Sequence, residues 1–150
     1  MKHVYIKILR YFFGIIYIVS SIGKLLDNRG FSKVIENYQL IPDVLSLPSG
    51  LAFSLFELAL GIMLLRNLHI LISAYFTVLI QTFYMFAVTL TYFRGLELDN
   101  CGCFGVFWAR PLTSITLIED AVLLMMAIAY LFMIKNKLKI NNSMEGLNGR

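Results

Sequence analysis

Four runs of apolar positions dominate the chain, each close to the roughly 20 residues that carry a helix across about 30 Å of hydrocarbon. The first extends from Val4 to Leu26, with YFFGIIYIVSSIG at its centre. The second, SGLAFSLFELALGIMLL, is predicted over residues 49–65, just after Pro48, and is interrupted only by Glu57. The third spans residues 69–93 with Gln81 near its middle, and the fourth spans 112–134 before the basic run KNKLK. Pro111 suits the first turn of that last helix, where its missing N–H has no helical partner to lose. Between the first two runs, Phe31, Val34, Ile35 and Tyr38 recur at helical spacing with Lys33, Glu36 and Asn37 opposite. A short amphipathic helix over 31–40 is therefore expected on the outer membrane surface, ended by Pro42. The segment INNSMEGLNGR after Lys139 has no apolar face and is expected to be a disordered tail over 141–150. The predicted class is all-α integral membrane: one four-helix bundle over residues 1–140 with an interfacial helix, and no repeat or linker.

Composition agrees with that pattern: 59% hydrophobic and 15% charged residues exclude most soluble classes. The net charge of +4 needs no nucleic-acid partner, because the cations sort by side. With the amino terminus in the cytoplasm, the inside carries Lys2, Lys7, Arg10, Arg66, Lys135, Lys137, Lys139 and Arg150. The outside carries Lys24, Arg29, Lys33, Arg94 and Arg110, so the inside is the more basic. This predicts a bacterial cytoplasmic (inner) membrane protein with both termini cytoplasmic and the 94–111 loop outside. A basic start, an apolar centre and VSS also fit a signal peptide, but the core runs on into KLLD with no polar mature start. Either reading leaves that loop outside.

The loop holds both cysteines, Cys101 and Cys103, separated by Gly102 in DNCGCFG. Disulfides form and persist outside the cytoplasm. Alpha carbons at i and i+2 lie about 5.5–7 Å apart, which reaches the range of a disulfide only at its upper end or with a turned backbone. Gly102 supplies that turn. So small a ring stabilises a fold little, whereas a strained, exposed bridge is of the exchangeable type. Arg94, Arg110 and Lys24 are the cations available to lower a thiol pKa, with Asp99 acting in the opposite sense. A zinc site would need about four ligands, and His3 and His69 are predicted on the other side of the membrane. Inert thiols in a turn and a bridge between two molecules are the other structural readings.

SSIGKLLD at the end of the first helix, FSKVIENYQLIP after it, FELALGIMLL in the second helix and DNCGCFG before the fourth occur in one order. Together these motifs resemble the methylamine-utilisation MauE family of the DoxX-like membrane proteins, over roughly residues 8–134. The resemblance implies a four-helix membrane protein that helps mature disulfide-containing periplasmic proteins beside a thioredoxin-like partner such as the MauD type. It implies Cys101 and Cys103 as the functional cysteines and Lys24 and Glu57 as the matched polar helix positions. Glu119 and Asp120, in SITLIEDAVLL, stand where the family is expected to carry fewer acids, so the resemblance assigns them no role.

Ionisable groups inside a bilayer are costly and usually face a bundle interior or cavity. Glu57, Gln81, Glu119 and Asp120 are the candidates here. Adjacent helical residues lie about 100° apart, so Glu119 and Asp120 cannot both face Glu57. These groups suit a proton path or cofactor pocket beneath the thiols; equally, a protonated Glu57 hydrogen-bonded to Gln81 would fix helix packing. Tyr92, Phe107 and Trp108 are expected in the outer aromatic belt, and Gly14 and Gly61 at close helix contacts. The residues favour thiol–disulfide exchange through Cys101–Cys103, and with the partner that the resemblance implies the reading is a thiol–disulfide oxidoreductase exchanging electrons with a periplasmic thioredoxin-like protein. A membrane quinone as acceptor would make it an oxidase and an incoming reductant would make it a reductase; no haem motif, flavin fingerprint or phosphate loop in the sequence decides the direction. The alternatives are a non-catalytic maturation scaffold docking through 31–40, and a small proton-coupled transporter using Glu57 and Glu119. A homo-oligomer is compatible with all three.

Overall fold

A computed structural model describes residues 2–148 apart from 97, 104 and 106–109, and side chains within residues 4–140. Among the described residues five helices follow one another: α1 (Lys2–Leu26), α2 (Asn28–Tyr38), α3 (Asp43–Leu65), α4 (Ile70–Phe93) and α5 (Ser114–Asn148). Four are long and apolar enough to cross a membrane, over Val4–Leu26, Asp43–Leu65, Ile70–Phe93 and Ser114–Ile140. The protein is an all-helical, multi-pass membrane bundle. Its outer surface is apolar, with Leu26, Phe93, Ile118 and Phe132 all exposed, as a lipid-facing surface requires.

The helix starts differ from those the sequence suggests. α3 begins at Asp43 rather than after Pro48, which is carried inside the helix. Pro42 is extended (φ −60°, ψ 142°) and its carbonyl accepts the N–H of Leu45 at 2.9 Å, closing the first turn. α5 begins at Ser114, so Pro111 precedes the helix; its carbonyl instead accepts the Thr116 hydroxyl at 3.0 Å. The same helix continues through Asn148, across most of the segment whose polarity suggests an unstructured tail. Phe107 and Trp108 of the expected aromatic belt lie outside the described residues, while Tyr92 is exposed and meets Ser114 Oγ at 3.1 Å.

α1 and α3 approach closely where Gly14 faces Gly61. A Cβ on Gly61 would stand 2.8 Å from Ile18 Cγ1 and 3.1 Å from the carbonyl of Gly14. Small residues at such a crossing let backbones meet, the principal source of helix affinity in lipid. Below this contact, Phe13, Tyr17, Leu60, Leu64, Ile80 and Tyr130 form the main core.

α2 is amphipathic as its spacing predicts, but its apolar face is not laid on lipid. Asp27 caps it, accepting the Gly30 N–H at 2.8 Å, and Gln39 in the left-handed region (φ 51°) ends it three residues before Pro42. Phe31, Val34 and Tyr38 are buried in a second cluster with Ala87 and Leu98. The helix therefore roofs the end of the bundle where the cysteine loop lies.

Candidate functional site

The loop between α4 and α5 is a small closed hairpin. The Cys101 N–H donates to the Arg110 carbonyl at 2.8 Å, and the Leu112 N–H to the Leu98 carbonyl at 2.8 Å. Asn100 shapes its tip: Oδ1 accepts the Gly102 N–H at 2.9 Å and Nδ2 donates to the Gly105 carbonyl at 3.2 Å. This is the Asx turn that lets a short amide replace a missing backbone partner. Gly102 (φ +71°) and Gly105 (φ +76°) both occupy the left-handed region. The resulting turn brings Cys101 Sγ and Cys103 Sγ into a 3.1 Å hydrogen bond. Both cysteines are free thiols.

The hairpin is held from two sides. The Tyr38 hydroxyl on α2 donates to the Cys101 carbonyl at 2.7 Å, and Ser20 Oγ on α1 to the Cys103 carbonyl at 2.6 Å. A Cβ on Gly105 would stand 2.5 Å from the backbone carbon of Gly23, so the loop rests directly on the α1 backbone. Gly105→Ala is therefore expected to lift the tip off α1, costing more than the roughly 1–2 kcal/mol of left-handed strain alone. A lower Tm in detergent together with faster alkylation of both thiols would register it.

Beneath the loop lies a buried ion pair. Lys24 Nζ and Glu57 Oε2 are 2.7 Å apart and both side chains are 0% exposed. Ser20 Oγ also reaches Glu57 Oε2 at 3.2 Å, and the Tyr84 hydroxyl donates to Oε1 while accepting from Lys24. The lysine sits among three rings, 4.8 Å from the centroid of Tyr84, 5.2 Å from Phe31 and 5.3 Å from Phe53. The partner of Glu57 is thus Lys24 rather than Gln81, and Lys24 is an interior group rather than an interfacial cation. Ser20 joins this network to the cysteine loop.

The remaining expected residues separate. Gln81 is 3% exposed and borders the same cavity as Glu57 and the two thiols. Arg94 leaves the thiols alone and donates to the Tyr38 and Gln39 carbonyls at 3.5 and 3.4 Å, tying the end of α4 to that of α2. Arg110 pairs with Glu119 at 2.8 Å, both about two-fifths exposed. The adjacent Asp120 takes the interior position instead, 5% exposed with Oδ2 lacking a hydrogen-bond partner among the described residues. Tyr38, Tyr84, Ser20, Asn100 and Gly105 were not among the expected site residues. Only Asn100, directly before the Cys-Gly-Cys run, carries a local signal, as an Asx-turn former.

The two thiols are electrically unequal. The hydrogen bond from Cys103 is the main influence on Cys101, lowering its pKa to about 7 against the opposing effect of burial. Cys103 is pushed up, because it shares its proton with Cys101 and is itself buried; only Lys24 draws it down. At neutral pH Cys101 is therefore about half thiolate, and it is the more acidic thiol of the pair. Alkylation of Cys101 should rise with pH through a midpoint near 7, since only the deprotonated form reacts, while Cys103 reacts at much higher pH. Mass spectrometry of pH-stepped alkylation reads both midpoints; a single midpoint near the ordinary thiol value for both would contradict the arrangement.

Comparison with known proteins places this geometry in a family. The family model described as "Methylamine utilisation protein MauE" matches residues 2–133, nearly the whole bundle and all of the cysteine loop. The chain belongs to the MauE family. Methylamine utilization protein MauE of Paracoccus denitrificans is 23% identical over 121 residues, covering 81% of this chain and 65% of that protein. Protein TlpB of Flavobacterium psychrophilum is 30% identical over 142 residues, covering 90% of this chain and 38% of that protein. The chain thus spans less than two thirds of the length of either MauE or TlpB. No solved structure matches it.

Proposed function

We propose that the protein is a membrane thiol–disulfide exchange protein whose Cys101–Cys103 pair trades electrons with an exported thioredoxin-like protein, supporting maturation of disulfide-containing proteins outside the cytoplasm. The observation that carries this reading is the sulfur–sulfur contact of 3.1 Å on a doubly glycine-hinged turn, with one thiol acidified by the other. A turn built only to connect two helices has no need of that contact.

The exchange runs through one mixed disulfide. Cys101, as thiolate, attacks the partner's disulfide and one partner sulfur leaves as thiolate; Cys103 then attacks the Cys101 sulfur, closing the internal bond and releasing the partner reduced. Read backwards, the same steps oxidise a partner dithiol, and Lys24 steadies the Cys103 thiolate as it leaves. Cys101 is only 5% exposed, so a protein partner gains access when the hairpin or α2 opens. The excess of cations on the termini and on the α3–α4 turn supports an inner-membrane orientation with this loop outside.

The purified, full-length protein mixed with an oxidised, exported thioredoxin-fold protein tests the reading. Two thiols should disappear from this chain for every disulfide reduced in the partner, and Cys101→Ser/Cys103→Ser should be inert. Normal client maturation in cells carrying that double variant would instead make the protein a scaffold.

A further inference from the structure

A cavity of about 390 Å³ lies between α1, α4 and α5, directly beneath the cysteine loop. That volume falls among small-molecule sites, which are mostly apolar with a few placed polar groups. Phe12, Ile16, Val122, Leu123 and Met126 form its apolar length. Phe12, Ile118 and Val122 are also exposed on the outside of the bundle, so the mouth opens toward hydrocarbon between α1 and α5. Counting from Thr116 to Met126 at about 1.5 Å per residue, the cavity reaches on the order of 15 Å along α5. Its polar lining includes both thiols, Glu57, Gln81, Asp120 and the Arg110–Glu119 pair. Asp120 is 5% exposed, and its Oδ2 has no hydrogen-bond partner among the described residues.

An unpartnered buried carboxyl is expensive unless something brings it a hydrogen bond. A lipid acyl chain would fill the apolar length and leave that carboxyl unmet. A flat ring with oxygen at its edge and an isoprenoid tail satisfies both ends. We propose that this cavity is the site where a lipid-soluble quinone collects the electrons of the Cys101–Cys103 dithiol. The inference rests on the exchange reading and fixes its direction as oxidation of the exported partner.

The step balances. Two S–H bonds break and one S–S bond forms; the two electrons and two protons convert the quinone carbonyls to hydroxyls, and the hydroquinone returns to the bilayer. A partner dithiol then reduces the new disulfide. Asp120 lies where it can donate a hydrogen bond to a quinone carbonyl when protonated and accept one from a hydroquinone hydroxyl when ionised. The two sulfurs divide the work by position: Cys103 borders this cavity alone, whereas Cys101 also borders a second one of about 270 Å³ beneath α2. Cys101 therefore meets the partner and Cys103 the quinone.

The test uses the reduced, full-length protein in detergent and a short-chain ubiquinone analogue substituted at every ring position, which cannot add thiols to its ring. One quinone should be reduced per chain as two thiols vanish. The Cys101→Ser/Cys103→Ser protein should still be raised in Tm by the analogue, which separates occupancy from chemistry. Leu123→Trp, filling the cavity, should cut quinone reduction at least tenfold and abolish that Tm rise, while exchange with the thioredoxin-fold partner is unchanged; Val122→Phe at the mouth is the second variant should the first not fold. Quinone reduction that is absent, or equal in the filled variants, overturns the cavity assignment if partner exchange proceeds. A Tm rise matched by phospholipid alone overturns it as well. Loss of both reactions in the wild-type protein overturns the exchange reading beneath it.

Discussion

Lys24→Met is expected to lower the Tm of the purified protein by on the order of 10 °C, and Glu57→Leu to do the same, while the double variant recovers most of the loss. The pair is fully buried, at 2.7 Å, with three rings around Lys24 and the Ser20 and Tyr84 hydroxyls on Glu57. Removing one member strands the other charge, which typically costs about 3–5 kcal/mol, whereas replacing both with apolar groups of similar size is often neutral. At roughly 2–4 °C of Tm per kcal/mol for a chain of this size, the single losses are large. Stability and chemistry should then part company. Lys24 is the group that draws the Cys103 thiol downward, so the recovered double variant should exchange more slowly although it folds. A double variant as unstable as either single would show that the pair holds the bundle together by more than mutual neutralisation.

Cys103→Ser and Cys101→Ser should each abolish two-electron exchange, but they should stop it at different points. Cys101 is the more acidic thiol and the sulfur nearer α2. Without Cys103 it still attacks a partner disulfide, and no second thiol in this chain carries the product forward, so the mixed disulfide accumulates. Without Cys101 the remaining thiol faces the inner cavity, and it loses the partner with which it shares a proton. Little adduct should form. The expected difference is at least tenfold in adduct, read from a non-reducing gel of acid-quenched membranes.

Much of the fold is legible in the sequence because a bilayer leaves the backbone few options. A run such as HILISAYFTVLIQTFYMFAVTLTYF has to satisfy its own N–H and C=O groups, and α4 follows it from Ile70 to Phe93. Helix starts are less legible, since they depend on partners that adjacent residues do not reveal. α3 gains its extra residues because Ser46 Oγ donates to the Asp43 carbonyl at 2.7 Å and lies 2.6 Å from Glu36 Oε1, a contact across to α2. The amphipathic pattern of α2 is plain in its spacing, yet a half-apolar face fits a lipid surface and a protein surface equally well. What decides between them is the loop 60 to 70 residues away that Val34 and Tyr38 cover.

The site shows the same division. The Cys-Gly-Cys run, the three membrane acids and Lys24 all announce themselves by residue type. Ser20 and Lys24, four apart, share a helical face, so one helix supplies both the clamp on Cys103 and the counter-ion of Glu57. That pairing needs the α1–α3 crossing at Gly14 and Gly61, which no local pattern specifies. Glu119 and Asp120 are the sharpest case: both line the cavity, but about 100° of helical rotation leaves one in a half-exposed pair with Arg110 and the other buried, and the choice between them depends on the phase of α5. Tyr84 is an unremarkable residue in a membrane helix until Glu57 is seen to accept its proton.

The most direct test of the exchange mechanism is the identity of whatever is bonded to Cys101 in membranes of cells expressing Cys103→Ser, quenched in acid, alkylated and read by peptide mass spectrometry. The account predicts a disulfide between Cys101 and the first cysteine of an exported thioredoxin-fold protein, absent from Cys101→Ser/Cys103→Ser. Cys101 recovered only as a free, alkylated thiol, in cells whose clients mature normally, would contradict it.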